Sequence, residues 1–301
     1  MNKDELNPNW VSGFVDGEGC FTVSISEDKR CKSGWQIRPR FKIHLHIRDK
    51  DLLERILLFF QVGTIWTDEK NKSAEYSVGG IDDLVNKIIP HFYKYPLITN
   101  KHSDFLLFDI ISRIIYEKEH LSKEGLMNII NLKASLNLGL STKFKPLFRD
   151  DVEIIIKRFK VNVPTNIDYN WFAGFFSGEG CFFIEISKLR TPRLINTVGL
   201  RVFVGQHIRD KLLINEFINT LGCGSVKYST KNFAMYSVNS FNDIYYKIIP
   251  MFNKYKIEGE KLLDYKDFCI AAELINKKAH LTLNGLEQIK SIKSRMNKAR
   301  Y

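Results

Sequence analysis

The sequence predicts an α+β protein built from two tandem, similar halves, and three observations carry the prediction. The stretch "WVSGFVDGEGCFTVSI", from Trp10 to Ile25, returns as "WFAGFFSGEGCFFIEI", from Trp171 to Ile186, a shift of 161 residues. The same shift carries "HIRDK" from His46 to His207, and a shift of 160 carries "YSV" from Tyr76 to Tyr236 and "KIIP" from Lys87 to Lys247. Within each copy, apolar residues recur at helical spacing in some stretches and alternate with period two in others. A period near 160 residues is far longer than the roughly 20 to 50 residues of a solenoid unit, so the repeat means two domains.

In chain order, each half begins with a helix that ends at a Glu-Gly pair, where glycine does not readily continue it. Asn9 and Asn170, each just before the tryptophan, are the expected N-caps. "CFTVSIS" and "CFFIEIS" then alternate as strands do. Next, "QIRPRFKIHL" places Ile37, Phe41, Ile43 and Leu45 on one side and Gln36, Arg38, Arg40, Lys42 and His44 on the other. A helix follows ("RDKDLLERILLFF", "RDKLLINEFINTL"), then a hairpin over about 63–79 and 223–239, then helices from Ile81 and Phe241 onward. Each half reads α-β-β-α-β-β-α-α. The halves are expected to occupy 1–138 and 167–301, joined by a structured linker over 139–166 that has no counterpart in the repeat and carries a short helix in 150–159.

Hydrophobic residues make up 44% of the 301 and aromatics 13%, the composition of a folded chain. A formal net charge of +11 points to a polyanionic partner, nucleic acid or an anionic surface. The five cysteines contain no CxxC pair, which argues against a disulfide framework or a zinc site and fits a reducing compartment. The first residues, "MNKDELNPNW", resemble neither a signal nor a transit peptide. The most apolar stretch, "FLLFDIISRIIY", is too short to span a bilayer, so no membrane partner is expected.

Gly13 and Gly17 lie four residues apart and share one helix face, as Gly174 and Gly178 do in the second copy. Glycine inside a helix costs about 1 kcal/mol relative to alanine, so two at matched positions suggest close approach of two backbones about a pseudo-twofold axis. Such packing would set Glu18 beside Glu179. Two adjacent carboxylates without a counter-charge repel; with a divalent metal they become ligands, and hard oxygen donors of this kind suit Mg²⁺. Asp16 has Ser177 as its counterpart, so of the two acids in the first motif only Glu18 repeats.

"GFVDGEG" and "GFFSGEG" resemble the two signatures of a LAGLIDADG homing endonuclease of the single-chain, double-motif type, and the similarity extends from about Trp10 to the C-terminus. The resemblance implies a saddle of two pseudo-symmetric αββαββα halves, with motif helices at their interface and an antiparallel DNA-binding sheet in each half. It implies a monomer that hydrolyses both strands of a long, non-palindromic DNA target and leaves staggered 3′ overhangs, promoting mobility of its host intron. By the same resemblance Glu18 and Glu179 are the metal-binding acids, the carbonyls of Gly17 and Gly178 are extra ligands, Gln206 orders water, and Lys101 and Lys261 stabilise charge at the scissile phosphates. Mg²⁺ is the expected cofactor, with Mn²⁺ as a substitute and Ca²⁺ supporting binding without cleavage. Glutamate in place of the family's more usual aspartate keeps charge and reach. Leu45 stands where the first half would match Gln206.

The row Gln36, Arg38, Arg40, Lys42 and His44 suits direct readout, because Arg and Lys bind guanine edges, Gln binds adenine, and strands fit the major groove. The matching row in the second half is Thr197, Gly199, Arg201, Phe203 and Gly205, so the two sheets are not equivalent and an asymmetric target is expected. Lys29, Arg30 and Lys32 in one loop, Lys188, Arg190 and Arg193 in its counterpart, and Lys70, Lys72, Lys227 and Lys231 in the second hairpins are further candidate DNA contacts. The competing reading is an intron maturase with host-intron RNA as partner; a transcription regulator that binds DNA without cutting is a third. No nucleophile elbow, Walker loop or HExxH motif supports a small-molecule hydrolase. Organelle introns commonly encode this family, which makes the mitochondrion the expected location.

Overall fold

The structure is a computed structural model and describes residues 5–31, 33–137, 139–140, 158–188 and 196–297. The chain forms two compact units, one of Met1–Pro8 with Glu18–Asn162 and the other of Asn9–Gly17 with Val163–Tyr301. The first motif helix, α1 (Pro8–Glu18), therefore packs for nearly all its length within the second unit.

The first unit holds β1 (Gly19–Glu27), β2 (Trp35–His46), α2 (Lys50–Phe60), β3 (Thr64–Asp68), β4 (Ser73–Val78), the single turn α3 (Ile81–Asp83), α4 (Ile89–Lys94), α5 (Lys101–Tyr116) and α6 (Lys123–Ser135). The second repeats the order from α7 (Tyr169–Glu179): β5 (Gly180–Lys188), β6 (Asn196–His207), α8 (Lys211–Leu221), β7 (Ser225–Ser229), β8 (Phe233–Val238), α9 (Phe241–Asp243), α10 (Ile249–Lys254), α11 (Lys261–Asn276) and α12 (Leu283–Ser294). Each unit has one antiparallel four-stranded sheet, ordered β1-β2-β4-β3 and β5-β6-β8-β7. The fold is the α+β class with two repeated halves.

The buried side of each sheet is lined by phenylalanines. Phe21, Phe41, Phe92, Phe105 and Phe108 form one cluster, with Phe21 and Phe41 stacked at 5.1 Å. Phe176, Phe182, Phe252 and Phe268 form the other, with Phe182 and Phe252 edge to face at 5.6 Å. Such pairs contribute about 0.5–1.5 kcal/mol each beyond area burial, which explains why 22 Phe serve a chain of this size. Between α3 and α4, and again between α9 and α10, the helix widens into a π turn (Leu84–Ile88 and Ile244–Ile248). The cause is legible in "KIIP": Pro90 and Pro250 carry no N–H, and the preceding Ile89 and Ile249 donate instead five residues back, to Leu84 and Ile244.

The N-caps differ from expectation. Helix α1 begins at Pro8, a residue whose fixed φ suits a first turn, so Asn9 is already helical. Helix α7 begins at Tyr169, and its cap is Asp168, whose carboxylate accepts from the backbone N–H groups of Asn170 and Trp171 at 2.8 and 3.1 Å. An aspartate two positions earlier outcompetes the asparagine because its charge also complements the helix dipole. Of the short helix expected over 150–159, the described residues 158 and 159 are not helical, and the others lie outside the described residues. Among the described residues no helix is long and apolar enough to cross a membrane.

Candidate nucleic-acid interface and catalytic residues

The glycine face does what its spacing implies. A Cβ built on Gly13 would stand 2.7 and 2.9 Å from the backbone C of Trp171 and N of Phe175, with the Trp171 carbonyl oxygen nearer still. A Cβ on Gly174 would meet the same atoms of Trp10 and Phe14 at 2.8 and 2.9 Å. The contact between α1 and α7 is thus reciprocal, backbone on backbone. Each tryptophan stacks on the phenylalanine one turn later, Trp10 on Phe14 at 5.1 Å and Trp171 on Phe175 at 4.9 Å.

Asp16, the motif acid that does not repeat, is structural. It is 3% exposed and accepts from the indole N–H of Trp171 at 3.0 Å. The indole of Trp10 donates instead to the Lys256 carbonyl at 3.0 Å. At the position matching Asp16, the Ser177 hydroxyl donates to the Ala173 carbonyl at 2.8 Å and accepts from the Glu258 backbone N–H at 3.2 Å. Both residues satisfy polar groups, Asp16 in the other motif helix and Ser177 in its own half.

Each motif helix delivers its glutamate at its last residue, and both Glu18 and Glu179 are partly exposed. In the second unit the Glu179 side chain runs beside Gly17, its Cγ at 3.2 Å from the point a Gly17 Cβ would take. Lys261, the first residue of α11, sends its ammonium to the carbonyl oxygens of Phe176, at 3.3 Å, and Gly178. The Gly178 carbonyl, expected to face a metal, already accepts a hydrogen bond from this lysine. A cation at that point is stabilised by the C-terminal end of the α7 dipole. Lys101 is likewise the first residue of its helix, α5.

Burial pushes the thiols of Cys20 and Cys181 up, and the positive charges of Lys101 and Lys261 pull them partly back. Each lysine thereby acts on the residue two positions after a motif glutamate. Lys133 also acts on Cys20, and its own ammonium is held below the usual range by burial. Among the described residues no group of three or more His, Cys, Asp or Glu stands ready to hold a metal. One carboxylate per half beside helix-terminal carbonyls is a sparse set of hard oxygens, which fits Mg²⁺: it keeps several waters and takes phosphate oxygens where zinc demands a closed N/S shell.

Gln206 lies on β6 opposite Ala234, on the parity of Val202 and Val204, so it shares the helix-side face of the sheet rather than the solvent face. It is half-buried. Leu45 occupies the corresponding place opposite Ala74.

The outer faces follow the predicted parity. On β2 Arg38, Arg40 and His44 are exposed while Pro39, Phe41 and Ile43 are buried. The register sets Ser26, Ser24, Thr22 and Cys20 of β1 beside Gln36, Arg38, Arg40 and Lys42. The row is tied together: an Arg38 guanidinium nitrogen donates to Gln36 Oε1 at 2.6 Å. The row is not free of acid, because β4 brings Glu75 opposite His44, and its carboxylate accepts from Lys42 Nζ at 3.0 Å. Trp66, 59% exposed, sits next to Glu75 on β3. Sequence reasoning missed both, although alternation in "TIWTD" and "SAEYSV" carried the signal.

On the second sheet Thr197, Gly199, Arg201, Phe203 and Gly205 share the outer face, where Arg201 pairs with Glu185 at 3.2 Å and Phe233 covers Gly205. Lys227 stands on β7 of the second hairpin, opposite Met235 on the same face. Lys29, Lys70, Lys72 and Lys231 are exposed, and Arg30 is folded back onto Asp28 at 2.7 Å. Lys188 ends β5, and Lys32, Arg190 and Arg193 lie outside the described residues.

These features define a two-motif, internally repeated α+β protein in which each motif helix ends on a glutamate and a later helix of each half opens on a lysine. The family model described as LAGLIDADG endonuclease matches residues 11–112 and 172–272, and the chain belongs to that family. It is 38% identical over 299 residues to "Probable intron-encoded endonuclease 2" of Neurospora crassa and 36% identical over 292 residues to "Probable intron-encoded endonuclease 3" of the same organism. These alignments take in 96% and 94% of this chain but only 65% and 53% of the relatives. Among solved structures it is similar to the I-SmaMI LAGLIDADG homing endonuclease bound to cleaved DNA, with a TM-score of 0.93, 37% identity and 99% of each chain covered. It is also similar to the LAGLIDADG meganuclease I-CpaMI bound to uncleaved DNA, with a TM-score of 0.92, 38% identity, and coverage of 98% of this chain and 100% of that one.

Proposed function

We propose that this chain is a site-specific double-strand DNA endonuclease that acts as a monomer on a long, non-palindromic target and promotes mobility of its host intron. The observation that carries the reading is the repeated pair of Glu18 with Lys101 and Glu179 with Lys261, one pair per half of a chain that belongs to an endonuclease family. Glu18 and Glu179 would hold Mg²⁺, one acid for each strand, with the Gly17 and Gly178 carbonyls as neighbouring oxygens. The chemistry such an ion would supply is polarisation of the phosphodiester and a bias toward hydroxide over water as the attacking group.

The chain's own residues do the remainder. Lys101 and Lys261 present fixed positive charge toward the charge that develops on the phosphoryl oxygens. Gln206 orients a water. The basic row of β2 reads base edges in the major groove, while the exposed lysines of the loops and of β7 hold phosphates. Unequal outer faces favour an asymmetric target, and cuts offset between the strands leave 3′ overhangs. The similar enzyme I-SmaMI has been solved on uncleaved target DNA with calcium ions, which supports Ca²⁺ as a cofactor for binding without cleavage. Homology to "Uncharacterized mitochondrial protein RF1" of Saccharomyces cerevisiae, at 24% identity, supports a mitochondrial setting.

The test is to select duplexes bound by the protein from a randomised pool in Ca²⁺ and then add Mg²⁺. One staggered cut per bound duplex is expected, lost in Glu18→Gln with Glu179→Gln while binding persists. Cleavage that survives the double substitution would sink the catalytic assignment. Tight binding with no cutting by the unsubstituted protein would instead indicate a regulator, and failure to bind any duplex an RNA maturase.

A further inference from the structure

The two halves share a tertiary bridge. Just after α6, Asn137 adopts a left-handed backbone (φ 51°), and just after α12, Asn297 does the same (φ 56°). The backbone N–H of Asn137 donates to Asp104 Oδ1 at 2.8 Å, and its side-chain amide donates to the Phe21 carbonyl at 2.7 Å. In the second half the Asn297 N–H donates to Asp264 Oδ1 at 3.0 Å and its amide to the Phe182 carbonyl at 3.0 Å. Asn297 Oδ1 also accepts from the Cys181 thiol at 3.5 Å.

The residues joined are informative. Phe21 and Phe182 each stand three residues after a motif glutamate, at the start of β1 and β5. Asp104 and Asp264 each stand three residues after a candidate catalytic lysine, in the first turn of α5 and α11. Both aspartates are nearly buried, at 4% and 7% exposure, so a lost partner would leave charge uncompensated. Asp104 has a second anchor in Arg158 at 2.8 Å. One asparagine per half therefore clips the strand that follows the glutamate to the helix that opens on the lysine. Its left-handed backbone points the N–H and the side-chain amide to two different elements at once, a conformation asparagine adopts more readily than most residues.

We infer that Asn137 and Asn297 are positioning residues that set the distance between glutamate and lysine, Glu18 to Lys101 in one half and Glu179 to Lys261 in the other. The inference rests on the nuclease reading above. Each asparagine should then govern the cutting of one strand.

The discriminating variants are Asn137→Gly and Asn297→Gly. Glycine keeps the left-handed backbone and its N–H to the aspartate, and it removes only the amide that holds the strand. On a supercoiled plasmid carrying the selected target, each variant is expected to slow one strand about tenfold, the usual scale for residues that orient a catalytic group. Nicked circles should accumulate, with the slow strand opposite in the two variants, and DNA affinity should not change. Equal slowing of both strands, or no slowing, would overturn the inference.

Hydrogen exchange of the DNA-free protein is an independent arm. Asn137→Gly should raise exchange at 19–23 and at 101–104 together, and unchanged protection there would also overturn the coupling. A wild-type protein that cuts no duplex would sink the nuclease reading, which the glutamate variants register separately, while the exchange arm would still decide whether the asparagine joins strand to helix.

Discussion

Gly13→Ala offers the sharpest test of how the motif helices are held. In an isolated helix this change would stabilise by about 1 kcal/mol. Here the added methyl would press into the Trp171 carbonyl and stand 2.9 Å from Phe175 N, atoms of a helix backbone that no rotamer change can move. The helices must part, which loosens the stacked pairs Trp10 with Phe14 and Trp171 with Phe175. Overpacking of side chains costs about 1–3 kcal/mol, and a backbone obstacle belongs at or above the top of that range. The net expectation is a loss of about 3 kcal/mol, or a fall of about 6 °C or more in the melting temperature. Gly199→Ala is the control, since the nearest atom to its Cβ would be Glu185 Cβ at 3.9 Å, an ordinary contact. Paired thermal and urea unfolding of both variants measures the difference. An unchanged or raised melting temperature in Gly13→Ala would refute the close-approach argument.

Two other outcomes follow from the geometry. His91 lies against Phe59, Phe60 and Phe92, and burial lowers its imidazole from 6.5 to about 4. The folded form then resists protonation that the unfolded chain accepts, so the stability it contributes is full above about pH 6.5, falls as pH drops through that window, and levels off below about pH 4. The total is about 3 kcal/mol by linkage, and His91→Phe should remove it from a series of urea midpoints; parallel curves for the two proteins would refute the assignment. On the sheet, Arg40→Ala is expected to cost about 1–3 kcal/mol of DNA binding and relax preference at one base pair, whereas Lys227→Ala should weaken all duplexes alike and lower the salt slope by about one. Competition titrations at several salt concentrations separate the two, and identical behaviour would contradict the division into base and phosphate contacts.

Much of this was legible in the chain because repetition filters noise. Gly13 with Gly174 and Glu18 with Glu179 recur at a shift of 161 and Lys101 with Lys261 at 160, and strand parity in "QIRPRFKIHL" exposed its basic row correctly. Local signals of this kind depend only on spacing along one element. Contacts between distant elements do not announce themselves so. Glu75 reaches Lys42 only because β4 pairs with β2 in a particular register, and Asp16 meets Trp171 across 155 residues. Asn137 and Asn297 also recur at the shift of 160, yet nothing in a lone asparagine after a helix says that it will hold a strand 116 or 115 residues earlier. Periodicity and repetition specify which face of an element is apolar and how many halves the chain has; which side chains meet across those faces is decided by packing, because hydrogen bonds between remote residues form only once both backbones have been brought within about 3 Å of each other's reach.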